Sequence, residues 1–206
     1  MSFTRKLFMP TIIDLIFGPS IAASVVFVAA AAGFIAIVAQ IVVPLNPVPI
    51  TGQTFAVILI GLSFGATRAA LVMLLYVLLG LSGLPVFSSA QGGVEVLLGP
   101  SGGYILGYIP AAWLVGTLAQ RGWNKSFWAA CAAGALGTVV MFTAGVLGLR
   151  RVLIETHREA TIALLLETGV TPFLVGATLK VILAAAIISL ASRSVLRRQT
   201  RTAVDS

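Results

Sequence analysis

Apolar residues run along this chain in long blocks, and the polar stretches between them are short and sharply bounded. The first block, 21–43, carries no charge, is rich in alanine and stops at Pro44. About 20 apolar residues are enough to cross a bilayer as a helix, so its length predicts a membrane span. Blocks at 51–65, 69–81, 103–119, 127–149 and 170–190 bring the predicted spans to six. The second and third are short for a crossing, which predicts tilt or shielding by neighbours. The pattern predicts an all-α integral membrane protein, a single membrane domain over 1–206 with six transmembrane helices.

Three interruptions are unlike simple turns. In 44–53, Pro44, Pro47 and Pro49 exclude regular helix. The segment 82–102 lies within GLSGLPVFSSAQGGVEVLLGPSGGYILGY (80–108), which holds eight glycines together with Pro85 and Pro100. Exposed irregular backbone is excluded from lipid, where each unpaired peptide group costs several kcal/mol. This segment therefore either emerges into water or lines a protected cavity. Its glycines allow backbone to approach a ligand closely, which makes it the first place to look for one. The third interruption, 150–169, mixes Arg150, Arg151, Glu155, His157, Arg158 and Glu159 with apolar 152–154 and 162–166. That mixture predicts a surface amphipathic helix. At the other end of the chain, Arg5 and Lys6 precede an apolar run broken by Pro10 and Asp14, with no Ala-x-Ala site after it. We read it as a cytoplasmic lead rather than a signal peptide.

Composition agrees with a membrane protein: 59% apolar, 9% charged, mean hydropathy +1.08. A soluble domain carries nearer a quarter charged residues. The net charge of +7 does not point to nucleic acid, because the basic residues sit at the ends of apolar blocks and not on one aromatic-studded face. Six crossings put both ends on one side. That side then holds Arg5, Lys6, Arg68, Arg121, Lys125, Arg193, Arg197, Arg198 and Arg201, against Arg150, Arg151 and Arg158 on the other. This bias predicts cytoplasmic termini, and it turns the loops 44–53, 82–102 and 150–169 outward together. Co-location of the three unusual loops is what a ligand site requires.

Several functions lose their chemistry. There is no GxxxxGK[ST] phosphate loop. Cys131 is the only cysteine and His157 the only histidine, so no internal disulfide and no metal cluster is predicted. None of the six predicted spans carries Asp, Glu or His, which leaves an intramembrane proton relay without members. Neither an enzyme nor a cofactor is expected.

Lys180 stands within the last span, where an ionisable group costs roughly 2.5–3.5 kcal/mol and usually has a partner or a wet cavity. Its helical neighbours include Gly176 and Ala177, small enough to leave room beside the ammonium. The alternative is a lysine snorkelling to an interface. Glu95 in the outer loop, or an acceptor on a ligand, is the candidate counter-charge. Asn46, Thr51 and Gln53 either bind a polar head group or cap the second helix. Phe87, Tyr104 and Tyr108 either pack on a ligand ring or anchor the interface. Ala29 with Gly33, and Ala32 with Ala36, recur four apart in the first span, a spacing that serves internal packing or a partner helix.

The stretches VPITGQTFAVILIG (48–61), GLPVFSSAQGG (83–93), LLGPSGGYILGY (97–108) and GVTPFLVGATLK (169–180) resemble the BioY family. Its members are biotin-binding S subunits of energy-coupling-factor vitamin transporters, and the resemblance covers roughly residues 20–192. It implies capture of biotin at the outer face of a bacterial or archaeal cell membrane. It also implies partners: a transmembrane coupling subunit, two ATP-hydrolysing subunits and the lipid bilayer. The matching motifs imply substrate contact by Thr51, Gln53, Phe87, Gly102, Gly103, Tyr104, Gly176, Ala177 and Lys180. Small residues of the first helix, here Ala29, Ala32, Gly33 and Ala36, would meet the coupling subunit. Two departures stand out. Ser101 replaces the family's usual threonine before Gly102-Gly103, which keeps a hydroxyl. Ala177 stands where the family commonly has aspartate, which removes an acidic group from the ligand site.

Overall fold

The computed structural model describes residues 21–157 and 159–204, with side chains described from Ala22 to Ser194. The predicted cytoplasmic lead and the tail's Arg197, Arg198 and Arg201 side chains lie outside the described residues, as does Arg158. The chain is helical almost throughout. Helix α1 (Ile21–Val38) is followed by a two-strand ribbon, β1 (Val42–Val43) and β2 (Ile50–Thr51), then α2 (Gln53–Phe64) and α3 (Ala66–Leu81). A short α4 (Val94–Leu98) leads into α5 (Gly102–Gln120), α6 (Phe127–Glu155), α7 (Ile162–Gly169) and α8 (Leu174–Val204).

Each apolar block forms one of the six longer helices. Two of these, α5 and α6, and the C-terminal run that contains α8 are long and apolar enough to cross a membrane, whereas α1, α2 and α3 are shorter apolar helices. At 1.5 Å per residue the 12 residues of α2 reach about 18 Å, well short of a hydrocarbon layer of about 30 Å. The missing length above α2 is filled by the ribbon and by the 82–101 segment, which fold over its N-terminal end. A hollow results at one end of the bundle.

The interruptions differ from the sequence reading in three places. The break between the second and third blocks lies at Gly65, whose φ of +78° is a conformation that a Cβ disfavours; Arg68, between the two blocks in sequence, falls in the first turn of α3. The prolines of 44–53 do exclude helix, and the flanking residues pair as an antiparallel ribbon, Val42 with Thr51 and Val43 with Ile50. The amphipathic helix expected over 150–169 is two pieces. Residues 150–155 extend α6, since backbone hydrogen bonding does not stop where composition changes, and Arg151 pairs with Glu155 at 2.7 Å on its exposed face. The chain breaks at His157, which has φ +54°, and α7 restarts with the Thr161 hydroxyl accepting from the Leu164 amide at 3.4 Å.

Helices α5 and α6 make the most intimate contact of the bundle. A Cβ on Gly103 would lie 2.9 Å from the Gly148 Cα, and one on Gly148 only 2.7 Å from the Gly103 Cα. Backbone therefore rests on backbone, the close approach that small residues make possible between membrane helices. The core around them is filled by fully buried Ile35, Ile58, Met73, Val115, Met141 and Leu149. At the end away from the hollow, Asn124 donates to the Leu62 carbonyl (3.3 Å) and Ser192 to the Asn124 carbonyl (3.2 Å).

Candidate ligand-binding site

The ribbon delivers Thr51 to the start of α2, and the polar core of the site grows from there. The Thr51 hydroxyl donates to Gln53 Oε1 at 2.7 Å and accepts from the Gln53 amide at 3.4 Å. Gln53 Nε2 donates to the Tyr76 hydroxyl at 2.6 Å, which in turn donates to the Val86 carbonyl at 3.0 Å. The Tyr108 hydroxyl donates to Gln53 Oε1 at 3.2 Å. One buried network thus joins α2, α3, α5 and the 82–101 segment, and each hydroxyl in it has a partner, as buried polar groups need. The Thr51 hydroxyl thus serves the first turn of α2 and also orients the glutamine.

Aromatic rings close the walls. Phe87 is fully buried and meets Tyr76 edge-on, ring centroids 5.4 Å apart. Only a glycine at position 80 leaves space for that ring. The Tyr104 hydroxyl donates to the Gly169 carbonyl at 2.6 Å, and its ring lies 6.1 Å from that of Phe173. Tyr104 and Tyr108 are both buried, so neither is an interfacial anchor.

Lys180 lies about 9 Å along α8 from its start at Leu174. The side chain is half-buried, and Nζ donates to the Thr51 carbonyl at 2.5 Å and to the Thr54 hydroxyl at 3.1 Å. It does not pair with Glu95, which lines a separate outer hollow of about 940 Å³. The start of α2 comes close enough for two neutral acceptors, and among the described residues no carboxylate lines the cleft around the ammonium.

These groups border a small cleft. Thr51, Gln53, Tyr104, Ala177 and Lys180 line it, joined by Thr54, Tyr108 and Phe173. Pro49, Ser88 and Ser101 line both the cleft and the outer hollow, so the two lie side by side. Thr138, Phe142 and Ala177 also line an apolar groove between α6 and α8, which makes that wall one side chain thick.

The other sequence candidates sit around the cleft rather than on it. Phe87 packs behind the wall. Gly102 and Gly103 start α5, where a Cβ would strike the backbone of 97 and of α6 respectively. Gly176 faces Ile50, 4.0 Å from where its Cβ would stand. Asn46 is exposed on the ribbon's loop. In α1, Ala32 is buried, whereas Ala29 and Gly33 are exposed and Ala36 is partly so.

Three positions that build or brace the cleft escaped the sequence reading: Gln40, Thr54 and Tyr76. Gln40 Nε2 donates to the Phe87 carbonyl at 3.0 Å, and its Oε1 accepts from the Ala90 amide at 2.9 Å. It thereby holds a turn in which Ser89 (φ +58°) and Ala90 (φ +55°) both adopt left-handed backbone, a conformation non-glycine residues take rarely. Gln40 was detectable as the lone polar residue near the end of its apolar block. Thr54 and Tyr76 look like ordinary members of apolar helices, and no local pattern singles them out.

The BioY family model matches residues 9–197. A biotin transporter BioY of Thermotoga maritima is 36% identical over 149 residues, 72% of this chain and 83% of that protein. Biotin transporter BioY2 of Lactococcus lactis subsp. cremoris is 32% identical over 163 residues, 78% of this chain and 85% of that protein. The crystal structure of the S-component for biotin from an ECF-type ABC transporter superposes with a TM-score of 0.73, covering 84% of this chain and 92% of that one at 24% identity. The helical bundle, its hollow end and the motifs that line the cleft all lie within the matched span, and the chain belongs to the BioY family.

Proposed function

We propose that this protein is the substrate-capture subunit of a biotin transporter and binds biotin in the cleft bounded by Thr51, Gln53, Tyr104, Tyr108, Ala177 and Lys180. The observation that carries the reading is the cleft itself, in a chain of this family: apolar and aromatic side chains interleaved with hydroxyl, amide and ammonium groups. Biotin pairs a bicyclic ureido head with an aliphatic tail and a carboxylate, which suits such walls. Lys180 has one ammonium N–H beyond its two protein acceptors, and Gln53 has a second amide N–H. Both suit an acceptor oxygen on the ligand. Phe87, Gly102, Gly103 and Gly176 shape the walls.

The six longer helices are six membrane crossings in this reading, with both termini cytoplasmic and the cleft facing outward in the cell membrane. The protein has no phosphate loop of its own, so ATP-driven uptake rests on a transmembrane coupling subunit and ATP-hydrolysing subunits. The outward stripe of Ala29, Gly33 and Ala36 offers that coupling subunit a close-packing face. Equilibrium binding of labelled biotin to the purified chain tests the reading, alongside thermal unfolding with a panel of other vitamins. Saturable binding of biotin, with biotin alone raising the unfolding temperature, is the expected result. Stabilisation by a different vitamin would reassign the ligand, and stabilisation by none would leave a membrane protein without a small-molecule role.

A further inference from the structure

We infer that Thr54 is a positioning residue of this cleft: its hydroxyl holds the Lys180 ammonium in the place where a carboxylate would otherwise do so. The inference rests on the cleft being the binding site proposed above. Lys180 reaches across from α8 to the first turn of α2, a helix end whose free N–H groups repel a cation. Among the described residues no Asp or Glu lines the cleft, and Ala177, one turn before Lys180, offers only a methyl group. The ammonium is held by the Thr51 carbonyl (2.5 Å) and the Thr54 hydroxyl (3.1 Å). A backbone carbonyl fixes one direction and leaves the ammonium free to swing about it. The Thr54 oxygen supplies the second point, and with two acceptors engaged the remaining N–H has a defined aim.

Thr54 also lines the cleft. Among the described residues its hydroxyl oxygen meets only Lys180. With both acceptors engaged, the remaining Lys180 N–H is aimed at one acceptor oxygen of the ligand, whether ureido or carboxylate.

The test is a double-mutant cycle on biotin binding with Thr54→Val, Thr54→Ser, Lys180→Met and the Thr54→Val/Lys180→Met double variant. Valine keeps the shape of threonine and removes the hydroxyl; serine keeps the hydroxyl. Thr54→Val should weaken biotin binding about tenfold and Thr54→Ser by less than about threefold, on the scale of 1.4 kcal/mol per decade. In the Lys180→Met background, Thr54→Val should cost almost nothing more. Equal loss in Thr54→Ser and Thr54→Val, or a Thr54→Val loss that adds in full to that of Lys180→Met, would overturn the assignment.

A second readout needs no ligand. The chain has three lysines, Lys6, Lys125 and Lys180, so 15N-lysine labelling gives at most three side-chain ammonium signals. The Lys180 signal should be protected from solvent exchange in the parent and in Thr54→Ser, and lose that protection in Thr54→Val. Unchanged protection in Thr54→Val would sink the inference even if biotin proved not to be the ligand. Absence of biotin binding in the parent, with the protection pattern as expected, would count against the proposed function alone.

Discussion

Lys180 was legible from the sequence because a charge in an apolar block is costly, yet how the fold accommodates it was not. The ammonium crosses to the start of α2 and takes a carbonyl and a hydroxyl as partners, a pairing between residues 129 and 126 positions apart that no local spacing reveals. The same holds for Tyr76, which joins Gln53 to the Val86 carbonyl from within an apolar helix. Residues whose type is unusual for their surroundings announced themselves; residues of ordinary type with a precise partner did not. A charge-assisted hydrogen bond from Lys180 to the ligand contributes on the order of 1.5–3 kcal/mol. Lys180→Met should therefore weaken biotin binding roughly ten- to a hundredfold, measured with labelled ligand on purified protein. If this variant binds as the parent does, the lysine is structural. Ala177→Asp places a carboxylate one turn away on the same face. It should hold or improve affinity, and a large loss would show that this cleft has been rebuilt around the methyl group.

Among the elements, the helix-forming blocks were readable because membrane helices need long apolar runs, and each block did form a helix. Their ends were less readable. Hydrogen bonding carries α6 through Arg150 and Arg151 to Glu155, and Gly65 alone breaks the run between α2 and α3. The 82–101 segment was recognisable as an interruption between helices by its glycines and prolines, but its anchoring was not. That depends on Phe87 filling the space beside Gly80 and on Gln40 reaching it from the turn after α1. The orientation of these elements follows from the basic-residue bias and is open to labelling. In a Cys131→Ser background, cysteines at exposed Gln91 and Thr161 should react with an impermeant thiol reagent in intact cells. A cysteine at exposed Ser126 should react only after the membrane is opened. The reverse pattern would invert the topology.

In the proposed function the molecule separates two tasks onto two surfaces. The cleft is built from α2, α5, α6, α8 and the loops at one end, whereas the small residues of α1 point both ways. Ala32 is 1% exposed and belongs to the packing of the bundle. Gly33 is on the outer side, and a Cβ there would meet nothing within 4 Å. The four-residue spacing seen in the sequence therefore serves internal packing at Ala32 and leaves an open stripe at Ala29 and Gly33. Substitution of these neighbours should give opposite outcomes. Ala32→Leu forces extra volume into a packed interior, typically a loss of 1–3 kcal/mol, and should lower the unfolding temperature with or without partners. Gly33→Leu has room on the isolated chain, so biotin binding and thermal stability should stay at parental levels. Its side chain would nevertheless hold off any helix that packs closely on the stripe. Biotin uptake by cells that supply the coupling and ATP-hydrolysing subunits should then fall several-fold, together with co-purification of the coupling subunit. If uptake by Gly33→Leu matches the parent, the coupling face lies elsewhere on the bundle and the stripe faces lipid.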